Sequence, residues 1–227
     1  MLKRVIGVEV KELDKSKFVD MFLLEHSVEC VTLITKKIDK ALIAEEASMQ
    51  YAIELYYDKE LEQNLTNLAQ LVADRKLSTK FLEWKTRPHL TLTCFNDVDE
   101  QKCIEKMTEF AQSHKQLPAY IGSVGMFTDT KTIFVSPIMN DGMYQFQREL
   151  CEHLKDFDAT GYEWYRPNRW VPHCTLALTK EDDEEVFYKA SNLILHEFKK
   201  MSGKLVSIGL VKISFPVEEI YTIDLNN

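Results

Sequence analysis

The chain has 227 residues and a formal net charge of −8, enough length for one sizeable domain or for two small lobes sharing a core. That charge argues against a general nucleic-acid scaffold, which needs a basic track to displace counterions from many phosphates, so a small nucleotide or the end of a strand is a better partner than a long duplex. No apolar run approaches the roughly 20 residues that span a bilayer, and the first residues lack the basic-then-apolar order of a secretory signal; the expectation is no membrane contact and a cytoplasmic address.

Residues 1–48 read as strand (Val5 to Val10), helix (Lys15 to His26), strand (Cys30 to Thr35) and helix (Lys36 to Ala47). They carry no motif, and Met49 could itself serve as a translation start, so they are expected to be an added N-terminal extension of unassigned role. From 51 to 57 the β-branched and aromatic residues predict a strand. If Ile53 and Leu55 face the helices, Ala52, Glu54 and Tyr56 face the opposite side, where Tyr56 is a candidate ligand residue. Leu61, Leu65, Leu68 and Val72 then recur at helical spacing. Pro88-His89-Leu90-Thr91-Leu92 follows as a strand. Asp97 and Glu100 resemble a capping box for a helix through Ile104, Met107 and Ala111. Ala119 to Phe127 and Thr132 to Ile138 read as a hairpin.

The same order then repeats. Phe146, Leu150 and Leu154 mark a helix, Pro172-His173-Cys174-Thr175-Leu176 a second motif strand, and Val186, Ala190, Leu193 and Phe198 a second amphipathic helix behind the acidic run Glu181 to Glu185. Leu205 to Phe215 and Val217 to Leu225 form the closing hairpin around Pro216. A Pro-His-any-Thr-Leu match arises by chance in roughly one chain per thousand of this length, so two copies in matched contexts point to a duplication. Its two pseudo-repeats span about 49–138 and 132–227, inside one domain of residues 49–227.

The chemistry follows from the spacing. A histidine and a threonine two apart on a strand share one face, while Leu90, Leu92, Cys174 and Leu176 turn to the core. Near neutral pH one imidazole can be neutral and take a proton while the other is cationic and gives one, each role contributing roughly 10²- to 10⁴-fold. The threonine hydroxyls can donate to phosphate oxygens. A zinc site needs a third and usually a fourth ligand, and no side chain at ligand spacing supplies one. Neither metal nor other cofactor is expected. The five cysteines form an odd, scattered set, read as reduced packing thiols.

These paired motifs, their separation and the duplicated order of elements resemble the two-histidine (2H) phosphoesterase superfamily, in particular its bacterial 2′-5′ RNA ligase-like branch. The resemblance covers about residues 49 to 227. It implies an α+β, bilobal fold with two antiparallel sheets around a central cleft and helices on the outer faces. It also implies metal-independent phosphodiesterase activity on 2′,3′-cyclic phosphates, 2′-5′ linkages of RNA ends, or related small cyclic nucleotides. By motif, His89 and His173 become the acid-base pair, with either one as base, and Thr91 and Thr175 the phosphate donors. Gly125-Met126-Phe127 resembles the family's glycine-aromatic segment, making Phe127 a candidate for stacking on a base.

Arg87 and Arg169 precede their histidines by two and four residues; strand alternation would aim them at the cleft to hold phosphate, and surface ion pairing is the competing reading. Trp84, Trp164 and Trp170 are read as packing anchors before base platforms. A module that holds a nucleotide or RNA end without turning it over, and a hydrolase of cyclic oligonucleotide signals, are the alternatives. The sequence leaves oligomeric state open.

Overall fold

The structure is a computed structural model that describes residues 50–160, 163–180 and 183–227, with the backbone alone for 158–160. The elements expected for 1–48 lie outside the described residues. Met49–Asn227 forms one compact unit.

The first strand, β1 (Tyr51–Tyr57), is buried at all seven positions, which suits a central strand covered on both faces. Asp58 accepts from the Leu61 amide and starts helix α1 (Lys59–Asp74), whose Leu61, Leu65, Leu68 and Val72 are buried as the spacing predicts. A short helix, α2 (Lys80–Glu83), leads to β2 (His89–Phe95). Helix α3 (Glu100–Ser113) is capped by Asp99, which accepts from Lys102 N, two residues later than the expected box at Asp97. Strands β3 (Leu117–Phe127) and β4 (Thr132–Pro137) form the first hairpin. Helix α4 (Asp141–His153), β5 (Cys174–Leu178) and helix α5 (Glu184–Glu197) follow. In α5 the cap is Asp183, inside the acidic run, and the fully buried positions are Phe187, Ala190, Ser191 and Ile194, so Ala190 lies as expected while Leu193 and Phe198 are only partly buried. Strands β6 (Met201–Lys212) and β7 (Glu218–Asp224) close the chain.

The α+β class and the order of elements in both repeats are those read from the sequence. The two expected sheets, however, are continuous. Every pairing is antiparallel, in the order β2-β1-β6-β3-β4-β5, with β7 also on β6. The cause is the length of β6, which starts at Met201 instead of the expected Leu205. Its residues 201–205 pair with β3 and its residues 207–212 with β7, while β1 lies along its other edge. Helices from the two repeats interleave, α1 against α5 and α3 against α4. One buried cluster therefore runs through both halves, holding Ile53, Leu65, Leu90 and Leu92 together with Val135, Leu150, Cys174 and Ile194.

The motif strands β2 and β5 end the hydrogen-bonded path, yet they contact each other, so the sheet curves until its ends meet. An open strand edge exposes unpaired carbonyls. That of β2 is covered: Trp170 Nε1 donates to Thr91 O at 2.8 Å and Gln147 Nε2 to Leu92 O at 3.1 Å.

Candidate active site

The two motifs sit in matching backbone settings. In the first repeat the β1–β2 register runs Ile53↔Thr93 and then Glu54↔Thr91, leaving Leu92 as an extra residue. In the second, β4–β5 runs Ile133↔Ala177 and then Phe134↔Thr175, leaving Leu176 extra. A bulge at the residue after each threonine bends both strands alike, and bulges of this kind re-aim side chains beside active sites. Behind each motif stands a glycine. Gly209 pairs with Glu54, and Gly125 with Phe134. A Cβ at Gly209 would lie 2.5 Å from Cε2 of Tyr56, and one at Gly125 would strike the ring of Phe134. Both positions need glycine because an aromatic ring lies on the backbone there.

The imidazoles are oriented in the same way. His89 Nδ1 lies 2.6 Å from the Arg87 carbonyl and His173 Nδ1 lies 2.7 Å from the Val171 carbonyl, in each case two residues upstream. A carbonyl only accepts, so each Nδ1 carries a proton and each Nε2 is the nitrogen turned away from the backbone. His173 itself precedes the first residue of β5 by one position. Trp170 and Cys174 connect the motifs: the Trp170 indole holds the Thr91 carbonyl, and the Cys174 thiol lies against the His89 amide.

Beyond this shared frame the environments differ. His89 Nε2 is 3.3 Å from Oε1 of Glu54, whose other oxygen accepts from the Tyr56 hydroxyl at 2.9 Å. Glu54 is only 4% exposed. Burial pushes its carboxyl above the ordinary range, while the His89 charge and the Tyr56 hydroxyl pull it back down. His173 packs instead against rings, edge-on to Phe127 with centroids 4.9 Å apart and tilted to Phe134 at 5.2 Å. Burial, aided by the charge of His89, holds its imidazole below the usual value of 6.5, although the Val171 carbonyl opposes this. The hydroxyl of Thr91 is within reach of the Tyr165 hydroxyl, itself raised by burial.

The expected substrate-binding residues are placed unevenly. Phe127 is half-buried beside His173. Tyr56 is not on offer: it is 1% exposed, its hydroxyl is committed to Glu54, and the Arg87 guanidinium covers its ring at 4.1 Å. Arg87 forks onto Glu62 at 3.1 and 2.8 Å and reaches Glu219 at 3.6 Å. Arg169 pairs with Glu163 at 3.0 Å and lies over Trp164. The strands begin at His89 and Cys174, so the alternation argument does not extend back to either arginine. Of the tryptophans, Trp170 is buried, whereas Trp164 is 60% exposed and does not anchor packing.

Glu54, Phe134 and Tyr165 were not singled out from the sequence as site residues. For Glu54 a signal existed: it is the single charge in an otherwise apolar and aromatic strand, and a buried charge implies a partner. Among the described residues, no group of three or more His, Cys, Asp or Glu side chains gathers as metal ligands. No helix among them is long and apolar enough to cross a membrane. A cavity of about 220 Å³ beside β2, lined by Thr93, Arg148, Tyr165 and Arg166 among others, includes neither motif.

The frame is that of the two-histidine phosphoesterases. A family model described as the 2′-5′ RNA ligase superfamily matches residues 59–223, both motifs included, and the chain belongs to that family. Three solved structures share the fold at 14% identity, each covering 79% of this chain and 99% of its own: Escherichia coli LigT complexed with 3′-AMP (TM-score 0.52), a phosphoesterase (0.50) and TT0787 of Thermus thermophilus (0.50). No curated protein sequence matches the chain. Family membership supports phosphodiester chemistry as the general activity.

Proposed function

We propose that this protein is a metal-independent phosphodiesterase that cleaves 2′,3′-cyclic phosphates or 2′-5′ phosphodiester bonds of RNA ends or small nucleotides by acid-base catalysis between His89 and His173. The observation that carries this reading is the matched pair of Nδ1–carbonyl contacts, at 2.6 and 2.7 Å, on two strands that meet. Each contact presets the tautomer that leaves Nε2 to exchange a proton, which binding alone would not require. Thr91 and Thr175 donate to the non-bridging oxygens from fixed strand positions. Phe127 offers a ring for a base beside His173. Arg87 and Arg169, already in ion pairs, are given no phosphate role.

The size class of ligand is supported by the similar fold of LigT, which was crystallised with 3′-AMP. A small nucleotide also suits an acidic chain better than a long duplex. The test is incubation, with chelator present, against nucleoside 2′,3′-cyclic phosphates, 2′-5′ oligoadenylate and cyclic dinucleotides, alongside His89→Ala and His173→Ala. Turnover of one substrate that both substitutions abolish establishes the pair and the bond class. Binding without turnover across the panel would replace this reading with that of a nucleotide-holding module.

A further inference from the structure

The duplication is close enough that its departures are informative. Opposite Thr175 stands Phe134, and opposite Thr91, at the equivalent register position, stands Glu54. We propose that Glu54 is a positioning residue that keeps a proton on His89 Nε2, making His89 the proton donor to the leaving oxygen and His173 the proton acceptor from the attacking one. The proposal rests on the acid-base reading above and assigns its two roles.

The argument is one of proton counting. Because His89 Nδ1 already carries a proton for the Arg87 carbonyl, the 3.3 Å approach of Nε2 to Glu54 Oε1 is favourable only if one proton lies between them. A carboxylate this deeply buried is costly unless its cation accompanies it, so carboxylate and imidazolium stabilise each other as a pair. The separation exceeds the roughly 2.7–2.9 Å of a charge-assisted hydrogen bond, so Glu54 acts on the ring through its charge more than through a hydrogen bond. Tyr56 holds the second carboxylate oxygen in place. The other groups bearing on Glu54 are Arg87 and Glu219, with the raised Cys94, Tyr165 and Cys174 also within its field.

His173 has the opposite setting. Two aromatic rings pack against it, no carboxylate stands at the position of Glu54, and burial disfavours its charged form. In the resulting step, His173 Nε2 takes a proton from water as the water oxygen bonds to phosphorus. The bond from phosphorus to the sugar oxygen breaks, and that oxygen takes the Nε2 proton of His89. Exchange with solvent then removes a proton from His173 and returns one to His89.

The experiment compares two leaving groups in one nucleotide: the sugar alkoxide of a 2′,3′-cyclic phosphate, which needs a proton, and the p-nitrophenolate of a nucleoside 3′-(p-nitrophenyl phosphate), which does not. Glu54→Gln keeps the shape and the Tyr56 contact but removes the charge. Expected is a fall in kcat on the cyclic substrate of about 10- to 100-fold, part of the roughly 10²- to 10⁴-fold that a general acid provides. The loss on the aryl ester should be at least about tenfold smaller, the alkaline limb of the pH profile should move to lower pH, and KM should change little. His89→Ala should show the same leaving-group dependence, and His173→Ala should slow both substrates alike. If Glu54→Gln does not fold, Tyr56→Phe, which frees the second carboxylate oxygen, should give the same pattern more weakly. Equal losses on the two substrates, or the leaving-group dependence appearing in His173→Ala instead, would overturn the proposal. Turnover by the wild-type protein of neither of these, nor of 2′-5′ oligoadenylate or cyclic dinucleotides, would overturn the phosphodiesterase reading itself, a distinct result.

Discussion

The two motif strands are nearly the same in sequence and in backbone, with the same bulge, the same threonine, the same glycine behind and the same carbonyl on Nδ1, yet one histidine faces a buried carboxylate and the other faces rings. The same geometry occurs twice, and the register position that sets Glu54 against Phe134 is where the surroundings of the two histidines diverge. Two like imidazoles in like surroundings would compete for the same protonation state. Unlike surroundings let one hold a proton while the other is free to accept one.

The most severe way to break the comparison is to remove either ring. His89→Ala and His173→Ala should each lower kcat by about 10²- to 10⁴-fold on an alkoxide-leaving substrate, with the double variant little worse than the singles because the pair acts as a unit. Steady-state kinetics with thermal unfolding as a folding control would check this. The threonines come next. Thr175→Val should cost about 10²-fold, as for loss of one preorganised donor, and Thr91→Val less, because Tyr165 can stand in beside it.

The glycines sharpen the comparison through packing. Gly209→Ala and Gly125→Ala should each destabilise by about 1–3 kcal/mol, since a methyl group would enter a ring already in contact. Denaturant unfolding measures that cost. Gly209→Ala moves Tyr56, so it should also reproduce the leaving-group dependence of Glu54→Gln, whereas Gly125→Ala, acting on Phe134, should not.

The smallest effect is a difference of sign with pH. The folded carboxyl of Glu54 titrates above its ordinary 4.5, so its contribution to stability is fully present below that value and is lost as pH rises through the raised one. Glu54→Gln should therefore gain in Tm over the wild type at neutral pH and gain little at pH 4. His173 titrates below its ordinary 6.5, so its contribution is present above 6.5 and is lost as pH falls. The wild type should lose Tm relative to His173→Gln as pH falls below 6.5, at about 2–4 °C for each kcal/mol in a chain of this size.

Much of this was legible in the chain itself. The helices followed from spacing, as at Leu61, Leu65, Leu68 and Val72, and the motif strands from a repeat that local propensity could not have supplied alone. The face of Glu54 was legible too, since Ile53 and Leu55 fix the core side. Its partner was not, because the contact depends on a bulge at Leu92, and a one-residue change of register has no signature in composition. The continuity of the sheet escaped for a similar reason. Residues 201–204 pair with a strand some 80 positions earlier, and nothing local marks that. Of the two readings of Arg87 and Arg169, strand alternation fails because both lie before their strands begin, and ion pairing holds because a carboxylate lies near each.

The contacts between the motifs also act as a gauge. Trp170, three residues before His173, holds the carbonyl of Thr91, and Cys174, the residue after His173, rests on the amide of His89. The span between the imidazoles is thus a strut of backbone and indole, set before any substrate arrives. The apical oxygens of an in-line displacement at phosphorus lie about equally far apart in every phosphodiester, so a fixed spacing would leave selection among substrates to the groups that surround the phosphate.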